Sequence, residues 1–235
     1  MTKNKKLLFE SRNRIYQKNF NILNKNKNNK NCVIVPVRGP SISQTCYSLN
    51  KFKGKTLLNN LIQKLIKLKF INNIIIVSSD EKIEKNFKYS NKKIKFYKRN
   101  IEQSLENIDY KVGILNAIKS YKLKPDNLFI LNFLYPHIDP FYFSMALNTL
   151  KIHNFDKVIS VYPDNETHFY KEQSQGLQII SNSRNKFLKL ERDNIYIEAG
   201  GISVEKFKSF TSNKISKKIG KVVIDFESSK KFINK

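Results

Sequence analysis

Short apolar segments rich in β-branched residues recur along the chain after residue 30. They are CVIVPV at 32–37, IIIVS at 74–78, IKFY at 94–97, LFILNF at 128–133 and VISVY at 158–162. Between them, apolar residues return every three or four positions, over residues 57–66, about 106–121 and 140–153. Strands that are apolar on both faces and alternate with helices predict a mostly parallel sheet covered by helices on both sides.

Both ends of the chain depart from this alternation. Near the C-terminus, strand-like segments follow one another with little helix between them, at 177–180, 187–190, 195–204 and 222–226. At the N-terminus, the segment NKNKNNK is nearly pure Lys and Asn, which is typical of a flexible linker. We therefore predict a basic Lys/Asn-rich arm over 1–30, and an α/β domain with an appended β-rich region over 31–235.

The chain is strongly basic. Its 235 residues include 44 Lys and Arg against 19 Asp and Glu, a formal net charge of +25. One interpretation is an anionic partner such as nucleic acid. The other is compositional drift, because the basic residues are mostly lysines, are spread along the whole chain and accompany abundant Asn, Ile and Phe. We favour drift, so nucleic acid is the less favoured partner.

Composition and cysteine use narrow the class of protein. A hydrophobic content of 40% with few Gly and Pro excludes intrinsic disorder and collagen-like repeats. No apolar segment reaches the ~18 residues that a membrane-spanning helix needs, and the basic N-terminus lacks the apolar core of a secretory signal. Cys32 and Cys46 have no zinc-site spacing and no His nearby. We expect a globular protein of the reducing cytoplasm.

Ligands of parallel sheets bind where the strands end, so the residues that follow each predicted strand are candidates for a site. Arg38, Gly39 and Ser41 follow the first strand. A cation, a small residue and a hydroxyl at a strand–loop–helix junction can hold phosphate oxygens, although an ordinary turn accounts for the same residues. Neither the GxxxxGK[ST] nor the GxGxxG phosphate-binding motif is present.

Polar residues also follow the second and fourth apolar segments. Ser79 and Asp80 end the second, where such residues either cap a helix or face a ligand. Asn132 and Tyr135 follow the fourth and are expected over the same edge of the sheet. His137, close by, fits a surface loop as well as a functional role.

Two features near the C-terminus complete the set of candidates. Gly200 and Gly201 interrupt a strand pattern, which indicates a bulge or a ligand lying close to the backbone. Asp225 and Glu227 end an apolar segment. Such carboxylates either bind a magnesium ion that bridges nucleotide phosphates or are simply solvated.

In their order and spacing, these segments resemble the CMP-sugar synthetases, the acylneuraminate and 3-deoxy-manno-octulosonate cytidylyltransferases. The family's P-A-R-x-x-S is similar to PVRGPS at 36–41, its G-K-P-L to GKTL at 54–57, and its V-S-T-D to VSSD at 77–80. Further along, R-P-x-x-L-A is echoed from Arg99, L-Q-P-T-S-P by LNFLYP at 131–136, N-G-A-I-Y-V by AGGISV at 199–204 and D-I-D-T by VIDF at 223–226. The resemblance covers about residues 31–230.

The resemblance implies a Rossmann-like nucleotide-diphospho-sugar transferase fold of the GT-A type. It implies transfer of CMP from CTP to a sugar acid, with Mg²⁺, release of pyrophosphate, a role in cell-surface polysaccharide biosynthesis and a homodimer. The implied catalytic residues are Arg38 and Asp225, with Asp225 also binding the metal. The implied nucleotide-binding residues are Arg38, Gly39, Ser41, Lys55, Asp80 and Arg99, and those for the sugar acid are Asn132, Tyr135 and Gly200.

The sequence also departs from the family pattern. Two basic loop residues of the family correspond to Ser43 and Tyr47, and a tyrosine cannot neutralise a phosphate at pH 7. The family's Gln, the Asn before its glycine and its first terminal acidic residue correspond to Asn132, Ala199 and Val223. Lost cations at a phosphate site lower the rate of transfer. A catalytically silent homologue that binds a nucleotide or a partner is therefore a second interpretation.

Overall fold

The computed structural model describes residues 30–40, 42, 46–86, 91–104, 109–164, 169–172, 176–179, 195–212 and 218–232. Within these ranges the strands are β1 Asn31–Pro36, β2 Lys51–Phe52, β3 Lys55–Thr56, β4 Asn73–Ser78, β5 Ile94–Lys98, β6 Asn127–Leu131, β7 Lys157–Asp164, β8 Phe169–Glu172, β9 Gly176–Ile179, β10 Ile195–Lys206 and β11 Ile219–Val223. The helices are α1 Leu57–Ile66, α2 Glu81–Lys85, α3 Tyr110–Ser120, α4 Phe141–Ile152, α5 Phe207–Thr211 and α6 Phe226–Ser229.

The main sheet holds seven strands in the order β11-β7-β10-β6-β1-β4-β5. β1 lies between β4 and β6 and is parallel to both, and β5 is parallel to β4. β10 is antiparallel to both of its neighbours, β6 and β7, while β11 is parallel to β7. All strands of this sheet except β10 therefore end at the same side, which we name the carboxyl edge; the opposite side is the amino edge.

Both faces of the sheet are buried. Val33 and Val35 of β1 belong to a core that includes residues of α1 and α4, whereas Ile34 points to the other face and packs with residues of α3. This double burial explains why successive positions of the strand are apolar. Cys32 is part of the second core, and its burial raises the pKa of its thiol to about 12, against an opposing effect of Lys95.

The predicted fold class is confirmed. The five apolar segments form β1, β4, β5, β6 and β7, and the periodic segments between them form α1, α3 and α4. The late strands differ from the prediction of a purely appended region. β10 and β11 join the main sheet, and only β8 and β9 form a separate two-stranded sheet.

Parts of the sequence-based organisation fall outside the described residues. These are residues 1–29 of the basic arm and the strand-like segment 187–190. The division of the chain near residue 30 therefore stays a prediction. None of the helices described is long and apolar enough to cross a membrane.

Candidate functional site

The carboxyl edge brings several of the predicted residues to neighbouring strand ends. Arg38 and Gly39 follow β1, Asp80 follows β4, Arg99 follows β5 and Asn132 follows β6. Backbone hydrogen bonds continue the ladder beyond the strands, from the N–H of Val37 to the carbonyl of Val77 at 2.9 Å and from that of Arg99 to the carbonyl of Ser78 at 3.0 Å. The loops therefore leave the sheet in fixed register.

Two concavities open at this edge. The first, which we name the Asn132 pocket, has a volume of about 420 Å³. Its wall includes Arg38, Cys46, Tyr47, Tyr110, Asn132, Lys157, Glu198, Gly200 and Ser203. The second, the Arg99 pocket, has a volume of about 890 Å³ and a wall that includes Ile42, Ser79, Asp80, Lys82, Lys98 and Arg99. The predicted site residues thus fall on two neighbouring surfaces.

Gly39 packs directly against Asp80. A Cβ atom built at Gly39 would lie 1.9 Å from the Cβ of Asp80 and 2.0 Å from its Oδ2, closer than any side chain allows. The loop after β1 can therefore approach the end of β4 only with glycine at this position. Sequence reasoning singled out both residues for a nucleotide, and the structure adds that they contact each other.

Asp80 caps a helix. Its Oδ1 accepts a hydrogen bond from the backbone N–H of Lys82 at 2.8 Å at the start of α2, and the residue is buried. The capping interpretation of the VSSD segment is confirmed for this residue. Ser79 instead shares a hydrogen bond of 2.8 Å with the hydroxyl of Ser104. Contact between Asp80 and a nucleotide stays a prediction.

Arg99 carries a buried cation. The residue is 6% exposed, and its Nη1 donates to the carbonyl of Gln103 at 3.2 Å, while its Nε has no hydrogen-bond partner. Within the described part of the chain, Arg99 makes no ion pair. Burial and, second, the nearby charge of Arg38 lower the pKa of Arg99. A buried guanidinium is costly unless an anion compensates its charge.

Cys46 contacts the loop that carries Arg38. The Cys46 thiol donates a hydrogen bond to the Arg38 carbonyl and lies 3.0 Å from the Ser48 hydroxyl. Tyr47 lies in the wall of the Asn132 pocket, with its ring edge-on to Phe232 at 6.0 Å between centroids. The position where the resemblance implies a loop cation is thus occupied by an aromatic side chain packed at the pocket wall.

Asn132 and Gly200 face each other across β6 and β10. The Asn132 backbone N–H donates to the carbonyl of Gly201 at 3.3 Å, and its side-chain oxygen accepts from the N–H of Leu134 at 3.0 Å. Gly200 has a φ of +72°, and a Cβ there would lie 2.9 Å from the hydroxyl of Tyr135. Burial, then Glu198 and Tyr162, raise the pKa of Tyr135. These three predicted sugar-side residues lie together.

The glycine pair lies at an irregularity of β10. The register of β10 against β7 shifts between Glu198 and Ser203, which confirms the predicted bulge. The shift places Glu198 and Ser203 on the wall of the Asn132 pocket, where Ser203 Oγ is buried without a hydrogen-bond partner. Sequence reasoning missed both residues. Their nearness to the glycine pair was the signal that could have found them.

The structure places Asp225 and Lys55 away from these pockets. Neither is among the described residues that line the Asn132 pocket or the Arg99 pocket. Lys55 lies exposed on β3, where its Nζ donates to Gln63 Oε1 at 2.6 Å. Ser41, the remaining predicted phosphate ligand, lies outside the described residues, as does Ser43.

The carboxylate of Asp225 already has several donors. It caps α6 by accepting from the Ser228 backbone N–H at 2.8 Å, and it accepts from the hydroxyls of Tyr142 at 2.8 Å and Ser228 at 3.0 Å. Burial by itself would raise the pKa of Asp225, but these hydrogen bonds outweigh it, so the pKa is lowered. Within the described ranges, no three His, Cys, Asp or Glu side chains are grouped to hold a metal ion. The described residues do not form a ready-made magnesium site.

Comparisons with known proteins agree on the fold. No protein-family model and no curated protein sequence matches the chain. The 4-diphosphocytidyl-2C-methyl-D-erythritol synthase of Anaerococcus prevotii is similar in structure, with a TM-score of 0.61, 14% identity and coverage of 87% of this chain and 90% of that one. A CMP:2-keto-3-deoxy-manno-octonic acid synthetase solved in complex with CTP gives a TM-score of 0.58 at 12% identity, over 83% and 90% of the two chains.

A third similar structure is the 2-C-methyl-D-erythritol 4-phosphate cytidylyltransferase of Francisella tularensis. Its TM-score is 0.51 at 18% identity, over 75% of this chain and 72% of that one. At such identities the similarity shows a shared fold. The chain therefore has the α/β nucleotidyltransferase-like fold that the resemblance implied.

Proposed function

We propose that this chain is a cytidylyltransferase that transfers CMP from CTP to a sugar acid and releases pyrophosphate. The observation that carries the proposal is the Arg99 guanidinium, which is buried at the carboxyl edge, lacks an ion-pair partner among the described residues and lies near Arg38. Phosphate oxygens would neutralise the Arg99 cation. Similarity of fold to enzymes named for cytidylyl transfer, and the order of the sequence motifs, support the same conclusion.

In the proposed reaction, a hydroxyl oxygen of the sugar acid forms a bond to the α-phosphorus of CTP. The bond from that phosphorus to the bridging oxygen of pyrophosphate breaks, and the hydroxyl proton leaves to solvent. Arg38 and Arg99 hold the triphosphate and stabilise the charge that develops on it. Asn132, Tyr135 and Gly200 hold the sugar acid in position for attack.

The proposal includes Mg²⁺ and a homodimer as the resemblance implies them. Because Asp225 is engaged by Tyr142 and Ser228, we assign the metal no protein ligand among the described residues and route no step through it.

A second candidate is a protein that binds the nucleotide without transferring it. Tyr47 favours this alternative, because an aromatic side chain packed on Phe232 stands where the resemblance implies a cation. Fewer cations around the phosphates mean less stabilisation of the transition state. The two candidates share the nucleotide site and differ only in turnover.

The test compares Arg99→Met with Lys98→Met, its matched control. Lys98 is the preceding residue, has the same charge and also lines the Arg99 pocket, but it is exposed and pairs with Glu81 at 2.7 Å. We expect CTP with Mg²⁺ to raise the melting temperature of the wild type and of Lys98→Met, and not that of Arg99→Met. A CTP-induced shift that persists in Arg99→Met would contradict the proposed site.

Turnover separates the two candidates. Pyrophosphate release is measured with CTP and an eight- or nine-carbon sugar acid, for the wild type and for Arg38→Ala. Release by the wild type that is lost in Arg38→Ala supports transfer. Nucleotide binding without any release of pyrophosphate identifies the binding protein instead.

A further inference from the structure

The amino edge of the sheet, opposite the proposed nucleotide site, carries a basic groove. It consists of two concavities of about 420 Å³ and 340 Å³ that share Pro125 on their walls, and we name it the amino-edge groove. Its cationic side chains are Lys30, Lys122, Lys124, Lys151, Lys206 and Lys208. Asp126 is the one carboxylate among the described residues that line it.

The lysines of the amino-edge groove lie on separate elements of the fold. Lys30 precedes β1, Lys122 and Lys124 lie in the connection from α3 to β6, and Lys206 ends the antiparallel strand β10. Lys122 turns the chain with a φ of +51°, a conformation that few non-glycine residues adopt. The cluster is thus produced by the fold and is not visible as a run in the sequence.

The few acidic groups near the groove do not neutralise it. The Asp126 carboxylate accepts a hydrogen bond from the backbone N–H of Lys30 at 2.7 Å, and Asp156 lies 3.9 Å from the Lys206 Nζ. Burial lowers the pKa of Lys151, against an opposing effect of Asp126. An anionic ligand would relieve the mutual repulsion of the remaining ammonium groups.

At the carboxyl edge, acidic and basic side chains are mixed instead, since the wall of the Arg99 pocket holds Asp80, Glu81 and Glu102 beside Lys82, Lys85, Lys98 and Arg99. Glu81 begins α2, Glu198 lines the Asn132 pocket, and Asp225 with Glu227 lies at α6. Compositional drift explains why the chain contains so many lysines, but it does not explain why six of them line one groove with a single carboxylate among the described residues. The amino-edge groove is therefore a distinct electrostatic feature.

The lining of the groove favours a linear polyanion. Asn72, Asn73 and Asn154 supply amide groups, and the half-buried ring of Phe207 supplies a surface on which a base can stack. A flat bilayer would instead need apolar side chains beside the lysines. The exposed Ile152 and Ile219 are not among the described residues that line the groove.

We propose that the amino-edge groove binds single-stranded nucleic acid, with its lysines on the phosphates. This function is separate from nucleotide transfer at the carboxyl edge, because no described residue lines both this groove and either of the carboxyl-edge pockets.

The test measures binding of a fluorescent oligothymidylate to the full chain as a function of salt. The groove variant carries Lys122→Gln, Lys124→Gln and Lys208→Gln. The matched control carries Lys51→Gln, Lys230→Gln and Lys231→Gln. The control removes the same charge from positions near the carboxyl edge. Each phosphate contact to a single strand contributes about 0.7 to the salt slope. The groove variant is therefore expected to lower the slope by about 2 and the affinity by up to roughly 100-fold at 0.1 M salt.

Three results would overturn the proposal. The first is that the wild type does not bind the oligothymidylate. The second is an equal loss of affinity in both triple variants, which would show that binding depends only on the general charge of the protein. The third is loss of binding to phosphatidylserine vesicles in the groove variant while oligonucleotide binding stays unchanged, which would assign the groove to a membrane surface. Melting temperatures close to wild type in both variants show that any loss is not due to unfolding.

Discussion

A buried cation without an ion-pair partner lowers the stability of the protein that carries it. Arg99 is such a residue at the carboxyl edge, where it is 6% exposed and near Arg38. Methionine has a comparable stem and no charge. We therefore expect Arg99→Met to raise the stability of the ligand-free protein by about 1 kcal/mol or more, while it abolishes the stabilisation by CTP.

Chemical denaturation without nucleotide measures this change, and Lys98→Met is again the control. Lys98 is exposed and paired with Glu81, so its loss should leave stability nearly unchanged. A marked loss of stability in Arg99→Met would mean that its hydrogen bond to Gln103 outweighs the cost of the buried charge.

Asp225, which lies outside both pockets, is expected to stabilise the fold. Asp225→Ala removes the cap of α6 and the partner of the Tyr142 hydroxyl, which should cost about 1 kcal/mol at neutral pH. Because the pKa of Asp225 is lowered in the folded state, its charged form contributes stability above the unfolded pKa of about 3.9. That contribution is lost as the pH falls through the lower, folded value.

Urea unfolding of the wild type and Asp225→Ala at neutral pH and at about pH 2 measures the effect. The difference between them should shrink in acid. Ser229→Ala, which removes a hydroxyl bonded only to the backbone of its own helix in the described structure, is the control. A difference that stays constant with pH would show that the carboxylate charge has no part in it.

At the scale of single residues, the sequence predicted where several candidate residues lie better than it predicted their contacts. Arg38, Asp80, Arg99 and Asn132 follow strands that the apolar pattern places in one sheet, so their meeting at one edge was predictable. The contact between Gly39 and Asp80 was not, because a close approach of two loops depends on the packing of β1 against β4.

Gly200 in β10 has less room for a side chain than Gly54 has, although both glycines have a positive φ. Gly200 combines a φ of +72° with a contact to Tyr135, whereas Gly54 has a φ of +79° and open space within 4 Å of the position that a Cβ would occupy. We expect Gly54→Ala to cost about 1–2 kcal/mol from backbone strain alone, and Gly200→Ala to cost more. Thermal unfolding of the two variants measures the difference.

A double variant isolates the contact. Tyr135→Phe removes the hydroxyl that lies 2.9 Å from the added carbon, so Gly200→Ala combined with Tyr135→Phe should approach the cost of Gly54→Ala. If Gly200→Ala costs no more than Gly54→Ala by itself, then Tyr135 moves freely and does not constrain the bulge.

Among the elements, the parallel strands were the most predictable and β10 the least. An apolar segment of four to six residues between helical repeats identifies a buried strand locally. The pairing of β10 with β6 on one side and β7 on the other depends on contacts between residues far apart in the sequence. In the sequence, the only sign of the bulge that permits both pairings was the pair of Gly200 and Gly201.

For the whole molecule, composition and arrangement carry different information. The net charge of +25 does not show where on the surface the charged side chains lie. The fold mixes cations and carboxylates in the Arg99 pocket at the carboxyl edge, whereas six lysines and one carboxylate line the described part of the amino-edge groove. This distribution could not be read from a sequence in which lysine occurs in nearly every segment.

The position of β10 also bears on how the protein is made. On a ribosome β7 emerges before β10, yet β7 reaches the rest of the main sheet only through β10. Until residues 195–206 have left the exit tunnel, the nascent chain exposes an unpaired edge of β6 and holds β7 apart from its partner. Such edges recruit other chains. We therefore expect the nascent chain to be most prone to association with other chains before β10 has emerged.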